Sequence, residues 1–145
     1  MKSRARVETY TFNISPSADK IGGLLKKVLS KIKNKVENRS ELEFKLELSF
    51  REMMANAIEH GSKLAADNDL DKKLKIKIEL KIYSDKMSIQ VEDPGPGFNW
   101  KGYDFKINQN FEEKGRGLKM INKVADKIEF NQQGNIITVF FNLEN

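Results

Sequence analysis

From Lys73 to Ile82 the chain alternates lysine or glutamate with aliphatic residues. Leu74, Ile76, Ile78, Leu80 and Ile82 fall on one side and Lys73, Lys75, Lys77, Glu79 and Lys81 on the other. Successive side chains of a strand point to opposite faces, so this period of two specifies a strand with one buried and one wet face. Ser84, Asp85 and Lys86 then read as a turn, and Met87, Ile89 and Val91 alternate in a returning strand. The chain must therefore build an antiparallel sheet that is covered on one side only.

The remaining pattern supplies the cover. Val7 to Phe12 reads as a first strand, and Ser15 and Pro16 as a turn or helix start, because proline suits a first helical turn. Ile21, Leu24, Leu25, Val28, Leu29, Ile32 and Val36 recur at helical spacing, opposite a face of lysines, with Gly22 and Gly23 weakening the first turns. Ser40 and Glu43 form a capping box that opens a second helix. Its apolar positions Leu42, Leu46, Phe50, Met53, Met54, Ala57 and Ile58 run to Gly61, a left-handed stop, and residues 62–72 form a polar connection. Leu118, Ile121, Val124 and Ala125 predict a third helix, Lys127 to Phe130 a strand, Gln132 to Asn135 a turn, and Ile136 to Leu143 a last strand. Residues 98–114 show no period and are expected to form a long loop acting as a lid. The order predicts an α+β fold: a two-layer α/β sandwich, a mixed and mainly antiparallel sheet with helices on one face. A chain of 145 residues has the size of one domain, expected to span 1–145.

Composition narrows the chemistry. With no cysteine and one histidine, disulfides, thiolate metal sites and a histidine cluster within the chain are excluded. No apolar run reaches the roughly 18 residues of a membrane span, and the first residues do not form a signal peptide, so a cytoplasmic protein with no membrane contact is expected. The net charge of +5 favours an anionic partner. The basic residues are scattered without interleaved aromatics, so no direct nucleic-acid contact is expected.

Three separated stretches carry candidate chemistry. In the second helix Glu52, Asn56 and His60 are spaced by four and share one stripe, with Glu59 adjacent. A polar helix face in water accounts for any one of them. As a set they offer an amide oxygen for Mg²⁺ and, one turn away, a carboxylate able to orient or deprotonate a hydroxyl. The returning strand delivers Asp93, followed by Pro94, Gly95, Pro96 and Gly97. Such a segment is a tight turn by composition, yet an acid ahead of two glycines can accept from an exocyclic amine such as that of adenine while the base lies on bare backbone. Gly115 and Gly117 precede the third helix, whose free amides can receive phosphate, and Lys114 and Arg116 add positive charge there. Together they supply what a magnesium-nucleotide pocket needs: an acid, an amide oxygen and close-approach backbone. His60 reads as an accessory to that pocket or as a cation at the helix C-terminus, not as a phosphoacceptor.

The three stretches resemble the N box (Glu52 to Gly61), the first glycine box (Asp93 to Phe98) and the second (Gly115 to Leu118) of the ATP-binding domain shared by DNA gyrase, the heat-shock chaperone, histidine kinases and MutL. Within that GHKL superfamily the sequence is most similar to the small anti-sigma factor serine/threonine kinases, over about residues 5–143. The resemblance implies a Bergerat-type fold binding ATP and Mg²⁺. It implies that Asn56 holds the metal, Glu52 is the general base, Asp93 binds the adenine amine, Gly95 and Gly97 shape the base pocket, and Gly115 and Gly117 line the phosphates. It also places Thr138, in the last strand, near the nucleotide. Where the kinases often carry an arginine just before the second glycine box, Lys114 stands here and Arg116 lies inside it, so either cation could reach the γ-phosphate. The implied function is an ATP-dependent protein serine/threonine kinase that phosphorylates an anti-sigma factor antagonist and sequesters a sigma factor. Members commonly dimerise, and the first strand and helix are the surfaces expected to do so. The alternative is an ATP-binding regulatory switch without phosphotransfer.

Overall fold

The computed structural model describes residues 7–33, 39–68, 75–94 and 113–143. Their order is β1 (Glu8–Ile14), a short 3-10 turn (Ala18–Lys20), α1 (Ile21–Ile32), α2 (Arg39–Asn68), β2 (Ile76–Ile82), β3 (Lys86–Glu92), α3 (Glu113–Val124), β4 (Lys127–Phe130) and β5 (Ile136–Asn142). The strands form one sheet in the order β1-β2-β3-β5-β4, and every described pairing is antiparallel. The fold is the expected α+β arrangement of a five-stranded sheet with three helices. The sheet is antiparallel throughout its described pairs rather than mixed.

Strand alternation decides which face is buried. Ile76, Ile78, Leu80 and Ile82 of β2 join Met87, Ile89 and Val91 of β3 and Val139 and Phe141 of β5 in one core, with Leu24, Leu25, Val28 and Ile32 of α1, the apolar stripe of α2 and Leu118 and Ile121 of α3. Register keeps the phase across the sheet: Ile78 faces Val91, which faces Ile137, and Leu80 faces Ile89, which faces Val139. Lysines and glutamates of β2 occupy the other face. Tyr10, Phe12 and Ile14 of β1 extend the inner face, and the Lys31 ammonium of α1 sits 4.8 Å from the Tyr10 ring centroid.

α2 departs from the expected helix at both ends. It begins at Arg39, so Ser40 lies in its first turn rather than at the cap, and it runs through Gly61 to Asn68. An internal glycine costs a helix about 1 kcal/mol relative to alanine. The Lys63, Leu64, Ala65 and Ala66 that follow are strong helix formers, and the helix continues over them. His60 is therefore inside the helix, away from the C-terminal carbonyls. α3 begins at Glu113, which places Gly115 and Gly117 within the helix and shortens the segment expected as a lid; residues 98–112 lie outside the described residues. Among the described residues no helix is long and apolar enough to cross a membrane.

Two substitutions test the packing. Phe50 is wholly buried, and Phe50→Ala is expected to lower unfolding free energy in urea by about 3–5 kcal/mol. Gly23 lies in helical α1, and a Cβ added there would meet nothing within 4 Å. Gly23→Ala should therefore raise the unfolding free energy by about 0.5–1 kcal/mol; a loss instead would mean that α1 does not hold its first turns as described.

Candidate functional site

β3 is the middle strand, and its phase carries through to the residue that follows it. Met87, Ile89 and Val91 point towards the helices, and Asp93, two positions on, keeps that phase and is only 8% exposed. Its backbone N–H donates to the Asn135 carbonyl at 2.9 Å, one bond beyond the last paired residues, Glu92 and Ile136. Pro94 has no N–H to continue the ladder and favours extended backbone at the residue before it. A carboxylate is thus held at the edge of the core on the helix side of the sheet.

α2 lies on that same side and packs on β2, β3, β5 and α3. Its buried stripe holds Leu42, Leu46, Ser49, Phe50, Met53, Met54 and Ala57, while Glu52 and Asn56, one turn apart, are half-buried along its border. The outer face is a separate population: Lys45 pairs with Glu41 at 3.5 Å and Arg51 with Glu47 at 3.1 Å, both exposed. Arg51, next to Glu52 in sequence, is therefore engaged away from the site.

Glu52 and Asn56 lie half-buried on α2, and Asp93 is buried just after β3, a strand on which α2 packs. The structure does not bring Thr138 to that side of the sheet. Val139 and Phe141 are buried on the helix side, so Thr138, in the opposite phase, lies on the outer face, paired across the sheet with Gln90 and Glu129. Its hydroxyl donates to the Gln90 Oε1 at 3.3 Å. The alternation of Ile137, Val139 and Phe141 carries that information in the sequence. Gly95 and Gly97 lie outside the described residues. Lys114, Gly115, Arg116 and Gly117 are placed by their backbone in the first turns of α3, where amides lack intrahelical acceptors.

Sequence reasoning misses two residues. Ser49, three positions before Glu52 and seven before Asn56, is 0% exposed, and among the described residues its hydroxyl has no hydrogen-bond partner. Nothing in an isolated helical serine signals this. Asn131, after β4, organises the turn that reaches Asp93: its Oδ1 accepts from the N–H groups of Gly134, Asn135 and Ile136.

An acid thus closes the central strand of a two-layer domain, and the helix that packs on that strand bears an amide and a carboxylate one turn apart. The family model for the histidine kinase-like ATPase domain matches residues 16–141, and the chain belongs to that family. No match to it was found among curated proteins. Domains of this family bind ATP, usually with Mg²⁺. The donors present fit both: Asn56 offers the hard oxygen that Mg²⁺ accepts while keeping positions for phosphate and water, and the buried Asp93 offers an acceptor for an amine.

The orphaned hydroxyl gives a stability test. Ser49→Ala removes a buried polar group that makes no bond, and is expected to leave the protein as stable or to stabilise it by about 1–3 kcal/mol in denaturant unfolding. A comparable loss would mean that Ser49 has a partner in solution.

Proposed function

We propose that this ATPase-type domain is an ATP-dependent protein serine/threonine kinase that also acts as an anti-sigma factor. Its substrate is a small anti-sigma factor antagonist, and its other partner a sigma factor. The observation that carries the catalytic part is the placement of Glu52 one turn before Asn56 on the half-buried border of α2. A domain that only senses nucleotide needs the metal-binding amide; a carboxylate beside it serves a hydroxyl. The resemblance to the anti-sigma factor kinases supports the choice of partners.

In this reading Asp93 accepts a hydrogen bond from the adenine amine, Asn56 holds Mg²⁺, and the first turns of α3 receive phosphate, with Lys114 or Arg116 balancing charge. Bound magnesium neutralises phosphate charge. Glu52 takes the proton of the partner's serine hydroxyl as its oxygen attacks the γ-phosphorus; the bond to the β-phosphate oxygen breaks and ADP leaves. Positioning provides most of the acceleration.

The decisive experiment incubates the protein with labelled ATP and candidate antagonist proteins, and separately measures Mg·ATP binding by calorimetry. Binding with serine phosphorylation of an antagonist is the expected result. Binding with no transfer to any of them leaves the regulatory switch, and undetectable binding at millimolar nucleotide removes the pocket altogether. Glu52→Gln should keep ATP affinity and lower transfer by about two to four orders of magnitude; unchanged transfer would take the base role from Glu52. Asp93→Asn should weaken ATP by roughly ten- to a hundredfold while barely changing the binding of inorganic triphosphate, and equal losses would contradict an adenine contact.

A further inference from the structure

We propose that Asn131 is a positioning residue for base recognition, setting the place of Asp93 through the peptide between Asn135 and Ile136. The inference rests on the reading of Asp93 as the adenine contact. Asn131 Oδ1 accepts three backbone amides, from Gly134 at 2.8 Å, Asn135 at 3.0 Å and Ile136 at 3.1 Å, and its Nδ2 donates to Asn135 Oδ1 at 2.6 Å. Three converging donors settle which end of the amide is oxygen. The hairpin is already closed by backbone bonds, from the N–H of Gly134 to the Asn131 carbonyl and from the N–H of Asn131 to the Ile136 carbonyl, both 3.1 Å. Gly134 takes the left-handed φ of 77° that the turn requires. The side-chain bonds of Asn131 are additional to closure.

What they add is orientation of one amide plane. The N–H of the Asn135–Ile136 peptide goes to Asn131 Oδ1, and its C=O receives the N–H of Asp93 at 2.9 Å. Because that unit is planar and rigid, it cannot rotate without losing both bonds. The chain from Asp93 through the peptide to Asn131 is a run of aligned hydrogen bonds, each polarising the next. Pro94 offers no donor of its own, so among the described residues this is the last ladder-like tie along β3. A residue acting only on hairpin stability would shift all ligands alike. One that places the acid shifts only the part of affinity that depends on the adenine amine.

The test compares Mg·ATP with Mg·purine riboside triphosphate, which lacks the exocyclic amine, on the full chain by calorimetry. The wild type should prefer ATP by about tenfold, the ratio that about 1.4 kcal/mol gives. Asn131→Ala should cut the preference to about twofold or less, mainly through weaker ATP binding, and Asn131→Asp, which can accept the same three amides, should restore most of it. An unchanged ratio in Asn131→Ala overturns the proposal while leaving nucleotide binding intact. A wild type that binds neither ligand overturns the nucleotide reading and this inference with it. Should Asn131→Ala fail to fold, amide hydrogen exchange on the wild type decides: ATP should slow Asp93 and Ile136 together, and protection of Asp93 alone overturns the coupling.

Discussion

The phase of β3 is the constraint on which the rest of the site depends. The strand lies between β2 and β5, so its register is fixed on both edges, and a slip of one residue would turn Met87, Ile89 and Val91 out to water. The same rigidity carries Asp93 into the layer interface. Burying a carboxylate is unfavourable unless its surroundings compensate, so the acid that follows this strand, held in phase with the core, is a polar group the packing alone does not call for.

α2 supplies the facing half by a different periodicity. Its buried stripe holds it to the sheet and to α3, and the exposed pairs of Glu41 with Lys45 and Glu47 with Arg51 add little. Glu52 and Asn56 flank that stripe, neither in the core nor on the outer face. Fully buried, they would be desolvated at a cost that an empty site could not offset; fully exposed, they would compete with water for every ligand atom. The border of a packed helix is the place where a polar side chain is both held and reachable.

How much of this is legible in the sequence follows from the range of each signal. The β2–β3 hairpin, the strand boundaries of β4 and the apolar stripes of α1 and α2 are readable because period two and period 3.6 are imposed along every residue of an element. The end of α2 is misread at Gly61, where a local stop signal competes with the helix-forming residues after it. The start of α3 is misplaced at its first buried residue, Leu118, although the glycines ahead of it are already helical. Thr138 enters the site by likeness to relatives against its own strand's alternation, and the alternation is right about the face. Asn131 cannot be read at all. A turn of Gln132, Gln133, Gly134 and Asn135 explains itself locally, and the bond that gives it another purpose reaches Asp93, whose distance in sequence no periodicity spans.

The division of labour among these elements has a mechanical consequence. Glu52 and Asn56 sit on one helix, so the spacing between the amide and the carboxylate is set by helical geometry and does not depend on how the layers move. Asp93 belongs to the sheet, tied to the β4–β5 turn rather than to α2. A shift of the helix layer relative to the sheet would therefore change where Asp93 lies relative to Glu52 and Asn56, while leaving the spacing within that pair unaltered. In the proposed kinase, adenine recognition and phosphoryl transfer would thus rest on different layers of the fold.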